Sequence, residues 1–82
     1  MNRDDLRAMV VNAISEIAPE TDPAAVAESA DLREALDLDS MDIFNLVIAL
    51  SQRLGIDIPD ADAPNLVTLA GAIAYLEKRL AG

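Results

Sequence analysis

The sequence predicts an all-α protein, a four-helix bundle formed by a single domain over residues 1–82. Of the 82 residues, 52% are hydrophobic but only 2% are aromatic. The aliphatic remainder is rich in Leu and Ala, which favour helices over strands. A chain of this length builds one core, and no repeat or shift in composition marks a second domain.

The first helix is predicted to begin after Asn2 and to end before Pro19. Asparagine is a common helix cap, and proline commonly ends a helix. The apolar residues between them fall on one helical face, namely Leu6, Val10, Ile14 and Ile17.

Residues 18–39 are predicted to form a long loop between the first and second helices. The pair Asp22-Pro23 favours a short helical turn through Ala24 to Ala27. Three irregularly spaced apolar residues are expected to anchor the loop on the bundle: Val26, Leu32 and Leu36. Because a loop this long in a compact domain is often functional, we expect a site near its end.

The second helix is predicted over residues 40–54, followed by Gly55 as a left-handed terminator. Its apolar arc spans about 200° at about 100° per residue, which is wider than one buried face requires. One stripe is expected to face the core: Ile43, Leu46, Val47, Leu50 and Leu54. The adjacent stripe consists of Met41, Phe44 and Ile48. Either a neighbouring element covers this second stripe, or it is a surface on which a partner docks.

Two further helices complete the predicted bundle. Pro59-Asp60 indicates a short third helix that Pro64 ends, and Thr68 caps the last helix. The last helix carries apolar residues at helical spacing and two basic residues that suit its C-terminal dipole. These residues are Leu69, Ile73, Leu76 and Leu80, with Lys78 and Arg79.

Composition excludes several classes of function. The sequence contains no histidine and no cysteine, so it lacks the commonest general base, the usual thiol nucleophile and most transition-metal ligands. A net charge of -9 repels nucleic acid and anionic lipid but attracts basic protein partners. The apolar run around Met9 is too short for a signal peptide or a membrane span, so the cytoplasm is the expected location.

A serine flanked by carboxylates stands where the long loop meets the second helix: Asp37-Leu38-Asp39-Ser40-Met41-Asp42. A calcium loop starting at Asp37 would need glycine and glutamate where Asp42 and Ile48 stand. A hydrolytic Ser40 would need a base, and no histidine or glycine-rich elbow accompanies it. The remaining alternative from spacing is a serine that only caps the helix. We therefore expect no catalytic residue and no metal ligand in this chain.

The segment Asp39-Ser40-Met41-Asp42 resembles the Asp-Ser-Leu-Asp motif of acyl carrier proteins. Residues 43–60 resemble the second helix of that family and its Gly-Ile-x-Ile-Pro exit, and residues 68–76 resemble its closing helix. The resemblance implies that Ser40 carries 4'-phosphopantetheine derived from coenzyme A. It also implies that the protein carries acyl intermediates as thioesters in fatty-acid, polyketide or related specialised biosynthesis, without being an enzyme.

The same resemblance implies roles for the residues around Ser40. Asp39 and Asp42 would help basic transferases and synthases to recognise the site, although either could be a plain helix-start carboxylate. Met41, Phe44 and Ile48 would be the apolar anchors for partners, with Asp37 adding to the acidic recognition surface. The expected partners are a phosphopantetheinyl transferase and acyl-loading and acyl-transfer enzymes, and the expected state is a monomer.

Two departures from the family pattern distinguish this chain. Leu36-Asp37-Leu38 stands where the family has a glycine, which implies a stiffer loop end. Asn45, Ser51, Gln52 and Arg53 replace glutamates of the family's second helix, which suggests a specialised carrier. An aminoacyl or peptidyl carrier usually shows Gly-Gly-x-Ser, and Asp39 breaks that pattern. An unmodified helical docking module remains the alternative from another class.

Overall fold

The computed structural model of the protein describes residues 1–81, and all their regular structure is helical. Helix α1 spans Arg3–Ile17, α2 spans Leu32–Ala35, α3 spans Ser40–Leu54 and α4 spans Leu69–Leu80. Two 3₁₀ segments, Pro23–Ala25 and Asp60–Leu66, lie between them. The predicted all-α class is therefore confirmed, with the 60–66 segment in the place of the short third helix. Within the described chain, no helix is long and apolar enough to cross a membrane.

The core forms where α1 packs against both α3 and α4, and where the 60–66 segment packs on α3 and α4. Each helix contributes the apolar stripe expected from its sequence. The fully buried large side chains include Leu6, Val10 and Ile14 of α1, Leu46 and Leu50 of α3, and Leu69, Ile73 and Leu76 of α4. Leu80, predicted on the same face of α4, is instead 41% exposed because α4 ends there.

The ends of the long helices follow the predicted signals. The Asn2 side chain accepts a hydrogen bond of 2.8 Å from the backbone N–H of Asp5 at the start of α1. Gly55 ends α3 with φ of 64°, a conformation that glycine adopts without steric cost. Thr68 caps α4 by accepting a 2.9 Å bond from the N–H of Gly71. These local caps fix where each helix begins and ends.

The loop of residues 18–39 contains more structure than predicted. Its helical turn is a 3₁₀ segment over Pro23–Ala25, shorter than expected and without a side-chain cap from Asp22. The sequence analysis missed α2, which Asp31 caps by accepting a 2.9 Å bond from the N–H of Arg33. The anchors are as predicted, since Leu32 is fully buried, and Val26 and Leu36 pack against the core.

Glu28 bonds this loop to the first helix, α1, and to the last helix, α4. Its carboxylate accepts bonds from Arg3 at 2.5 Å and Arg7 at 3.1 Å on α1. Its backbone carbonyl accepts a 2.9 Å bond from the N–H of Ala70 at the start of α4. The arginine pairing lowers the pKa of Glu28, with the hydrogen bond from Arg3 as the main cause. The loop that leads into α3 is therefore held against α1 and α4.

The prediction that Pro64 ends the third helix is wrong. The 3₁₀ segment continues through Pro64 to Leu66, which is fully buried. Proline lacks an N–H, but its fixed φ near -65° is compatible with 3₁₀ geometry. Burial of Leu66 favours continuing the segment for two further residues.

Candidate cofactor attachment site

Ser40 is the first residue of α3, at the point where the anchored loop enters the helix. Its side chain is exposed, and its hydroxyl makes no hydrogen bond to any of the side chains or carbonyls in residues 1–81. Ser40 is therefore not the residue that caps α3, contrary to the capping alternative from the sequence. Its hydroxyl is exposed and has no hydrogen-bond partner within the described residues.

Asp39 and Asp42 form a reciprocal capping box around Ser40. Asp39 Oδ1 accepts a 2.9 Å bond from the N–H of Asp42, and Asp42 Oδ2 accepts a 3.1 Å bond from the N–H of Asp39. A box of this kind satisfies two backbone donors and fixes the first turn of the helix. The second oxygen of each carboxylate remains available, so capping and recognition by a partner are compatible at both residues.

The backbone donors at the start of α3 also suit an anion. The box satisfies the N–H of Asp42, whereas the N–H groups of Ser40 and Met41 have no hydrogen-bond partner in the described structure. Such free N–H groups, together with the positive end of the helix dipole, favour a phosphate. A phosphodiester on the Ser40 oxygen would lie at this end of the helix.

Asp37, three residues before Ser40, has an uncommon left-handed backbone conformation. It has φ of 55°, and the N–H of Leu38 donates a 3.0 Å bond to the carbonyl of Arg33. This bond pattern is the Schellman termination of α2, with Asp37 at the left-handed position that glycine usually takes. Aspartate is among the non-glycine residues that adopt this conformation most readily. The missing family glycine is thus replaced by a residue in the glycine-like conformation.

A groove of about 610 Å³ opens beside Ser40, between α3 and the 60–66 segment. Most of its walls are apolar, and a single basic residue, Arg33, stands in the described lining. The lining residues are Arg33, Ser40, Ile43, Phe44, Val47, Asp60, Ala63, Pro64 and Val67. We call this cavity the Ser40 groove. Sequence reasoning missed it because it depends on how the 60–66 segment packs on α3.

Arg33 is held at the edge of the Ser40 groove by Asp31. Its Nη2 and Nε donate to the two carboxylate oxygens of Asp31 at 2.8 and 3.1 Å. The hydrogen bond from the Arg33 side chain is the main cause that lowers the pKa of Asp31 to about 2. The Arg33 side chain nevertheless remains 52% exposed, and its Nη1 has no hydrogen-bond partner within the described chain.

The second apolar stripe of α3 is only partly covered by the rest of the described chain. Met41 is 62% exposed, Phe44 is 45% exposed and Ile48 is 41% exposed. Their positions place them along one side of the helix, directly after Ser40. A neighbouring loop or helix therefore leaves much of this stripe open to solvent. An exposed apolar surface of this kind is typical of a protein-binding site.

The Ser40 hydroxyl has no base bonded to it within the described chain. The chain contains no histidine, and no described carboxylate or lysine is bonded to the Ser40 hydroxyl. Among residues 1–81 there is also no cluster of acidic side chains that could hold a metal ion. A nucleophilic serine needs an adjacent base.

Comparison with known proteins agrees with this geometry. The sequence model of the family described as "Phosphopantetheine attachment site" matches residues 8–76. The chain is 37% identical over 75 residues to the acyl carrier protein of Campylobacter curvus, covering 92% of this chain and 91% of the relative. It is 32% identical over 74 residues to that of Wolinella succinogenes, covering 90% and 91%.

The chain therefore belongs to the acyl carrier protein family and contains its attachment domain for phosphopantetheine. Members of this family are carriers rather than catalysts.

Proposed function

We propose that Ser40 is the residue that receives 4'-phosphopantetheine, and that the loaded protein presents acyl intermediates to partner enzymes. The observation that carries this proposal is the free, exposed hydroxyl of Ser40 at the start of α3. The residues around it fit the group, because the unpaired N–H groups of Ser40 and Met41 suit a phosphate. When bound, the arm supplies a terminal thiol that holds acyl groups as thioesters.

The attachment step is a transfer of the phosphopantetheinyl group from coenzyme A. The Ser40 oxygen forms a bond to the phosphorus that carries pantetheine, and the pyrophosphate bond of coenzyme A breaks. Adenosine 3',5'-bisphosphate leaves, and the hydroxyl proton passes to a base on the transferase. The carrier contributes an accessible oxygen on a rigid helix start, since the capping box of Asp39 and Asp42 fixes that turn.

The surface next to Ser40 supports docking of basic partners with an apolar pocket. Met41, Phe44 and Ile48 would fill such a pocket, because they are the exposed apolar side chains nearest to Ser40 along α3. The acidic recognition surface would be Asp37, Asp39 and Asp42, whose charges attract basic patches and set the encounter rate. On this proposal the partners are a phosphopantetheinyl transferase and acyl-transfer enzymes, and the carrier acts as a cytoplasmic monomer.

The rest of the α3 surface supports a specialised pathway. Asn45 and Gln52 are exposed and neutral, and Arg53 is paired with Glu16 of α1. Enzymes that recognise a fully acidic helix would find fewer contacts here. We therefore propose service in a dedicated acyl pathway, of polyketide or related type, in preference to the general fatty-acid synthase. Full complementation of a strain lacking its general carrier would contradict this choice of pathway.

Attachment is tested with purified protein, coenzyme A, magnesium and a broad-specificity phosphopantetheinyl transferase. Intact masses are compared for wild type, Ser40→Ala and the matched control Ser29→Ala, which removes another exposed serine hydroxyl. We expect one phosphopantetheine on wild type and on Ser29→Ala, and none on Ser40→Ala. Modification of Ser40→Ala would place the site elsewhere. Absence of modification in all three would favour an unmodified docking module that uses the exposed α3 stripe.

A further inference from the structure

We infer that Arg33 binds the phosphodiester that the cofactor arm forms on Ser40, and so positions the start of the arm. This inference rests on the proposed attachment at Ser40. Arg33 and Ser40 line the same groove, one from α2 and the other from α3. Within the described lining, Arg33 is the single cation available to an anion on Ser40.

The chemistry of Arg33 suits this contact. A guanidinium has N–H donors on three nitrogens, in a planar fork that matches phosphate oxygens. Asp31 occupies Nε and one N–H of Nη2. Nη1 has no partner among residues 1–81, and the side chain is 52% exposed. Asp31 thus fixes the guanidinium while leaving donors for a second anion.

Most of the charged side chains around Ser40 are carboxylates, which would repel a phosphodiester attached there. Asp39 and Asp42 flank the serine, Asp37 precedes it, and Asp60 stands in the opposite wall of the groove. A phosphodiester placed among these carboxylates is repelled by each of them. The Arg33–Asp31 pair is neutral as a whole, so it attracts the phosphate through directed hydrogen bonds at short range. The arm should therefore leave Ser40 on the side of α2.

The contact is tested on the loaded protein by nuclear magnetic resonance, without a partner enzyme. The arginine side-chain ¹H–¹⁵N signals are compared before and after attachment, and ³¹P relaxation is measured for wild type and Arg33→Gln. Arg53→Gln is the matched control, because it removes the same charge from the last turn of α3. An exposed ion pair changes a population by roughly 1.5- to 5-fold.

We expect attachment to shift the Arg33 signals in wild type, and the ³¹P transverse relaxation to slow in Arg33→Gln but not in Arg53→Gln. Unchanged Arg33 signals on attachment, or equal ³¹P relaxation in wild type and Arg33→Gln, would overturn the contact while the attachment at Ser40 stands. The Arg33 shift is measured on wild type alone and is independent of the folding of any variant. Failure to attach the arm at all would overturn both proposals.

Discussion

Replacing Phe44 with alanine should slow the partner enzymes without unfolding the carrier. Phe44 is 45% exposed, which corresponds to roughly 90 Å² for a side chain of about 200 Å². Burying that area in a partner pocket at about 25 cal/mol per Å² gives an upper bound of about 2 kcal/mol. A loss of this size is about 30-fold in kcat/KM. More than half of the ring is covered by the rest of the chain, so the substitution also lowers the stability of the fold. The rates are therefore compared at a temperature at which the variant is fully folded.

The assay is the rate of phosphopantetheine attachment, followed by intact mass at carrier concentrations well below KM. Leu80→Ala is the matched control, because Leu80 is 41% exposed at the end of α4 and outside the α3 stripe. A thermal midpoint of Phe44→Ala well above the assay temperature establishes that the variant is folded during the measurement. The docking argument fails if Phe44→Ala stays within twofold of wild type, or if Leu80→Ala is slowed as much.

Three further results are expected from the loop that leads to Ser40. Asp37→Gly should raise the free energy of unfolding in urea by up to about 1 kcal/mol. Asp37→Val should lower it by about 1–2 kcal/mol, because the left-handed conformation strains a branched residue. Equal stabilities of the two variants would contradict the left-handed conformation at this position. Leu32→Ala should lower the free energy of unfolding by about 2–5 kcal/mol. It should also speed amide hydrogen exchange at residue 32, whose N–H donates to the carbonyl of Val67. An unchanged urea midpoint would contradict the role of Leu32 as an anchor. Asp31 has a pKa lowered to about 2 when folded, so its pairing with Arg33 stabilises the protein above about pH 4 and loses that effect as pH falls through about 2. The thermal midpoint of wild type should therefore exceed that of Arg33→Gln at pH 6, and the gap should narrow as pH falls from about 4 to about 2. A gap as wide at pH 2 as at pH 6 would refute the linkage.

The three long helices were predictable because their signals are local. Asn2, Gly55 and Thr68 act within one turn of the helix ends that they define, and the apolar spacing of each helix is regular. The acidic motif around Ser40 was also visible as a pattern. Its capping role fell to Asp39 and not to the serine, because both residue types cap helices and only the backbone geometry distinguishes them.

The features that the sequence did not predict are either too short to show a periodic pattern or formed by tertiary packing. Helix α2 has four residues, which is too few to show a helical period. The left-handed conformation of Asp37 was not predicted, because the usual sequence signal for it is a glycine. Pro64 lies inside a 3₁₀ segment, whereas it would have ended an α-helix. The Ser40 groove exists only once the 60–66 segment lies against α3, so no single stretch of sequence contains it. The exposure of Phe44 likewise depends on what the rest of the chain leaves uncovered.

The bond between Tyr75 and Asp62 gives the protein a spectroscopic reporter of its own. The sequence has one tyrosine and no tryptophan, so emission excited in the tyrosine absorption band, beyond that of phenylalanine, comes from Tyr75. Its hydroxyl donates a 2.6 Å bond to Asp62, a residue of the segment that forms one wall of the Ser40 groove. Burial is the main cause that raises the pKa of Tyr75. A displacement of that wall by a carried acyl chain would lengthen the bond, and the loaded and unloaded carriers would then differ in emission without any attached dye.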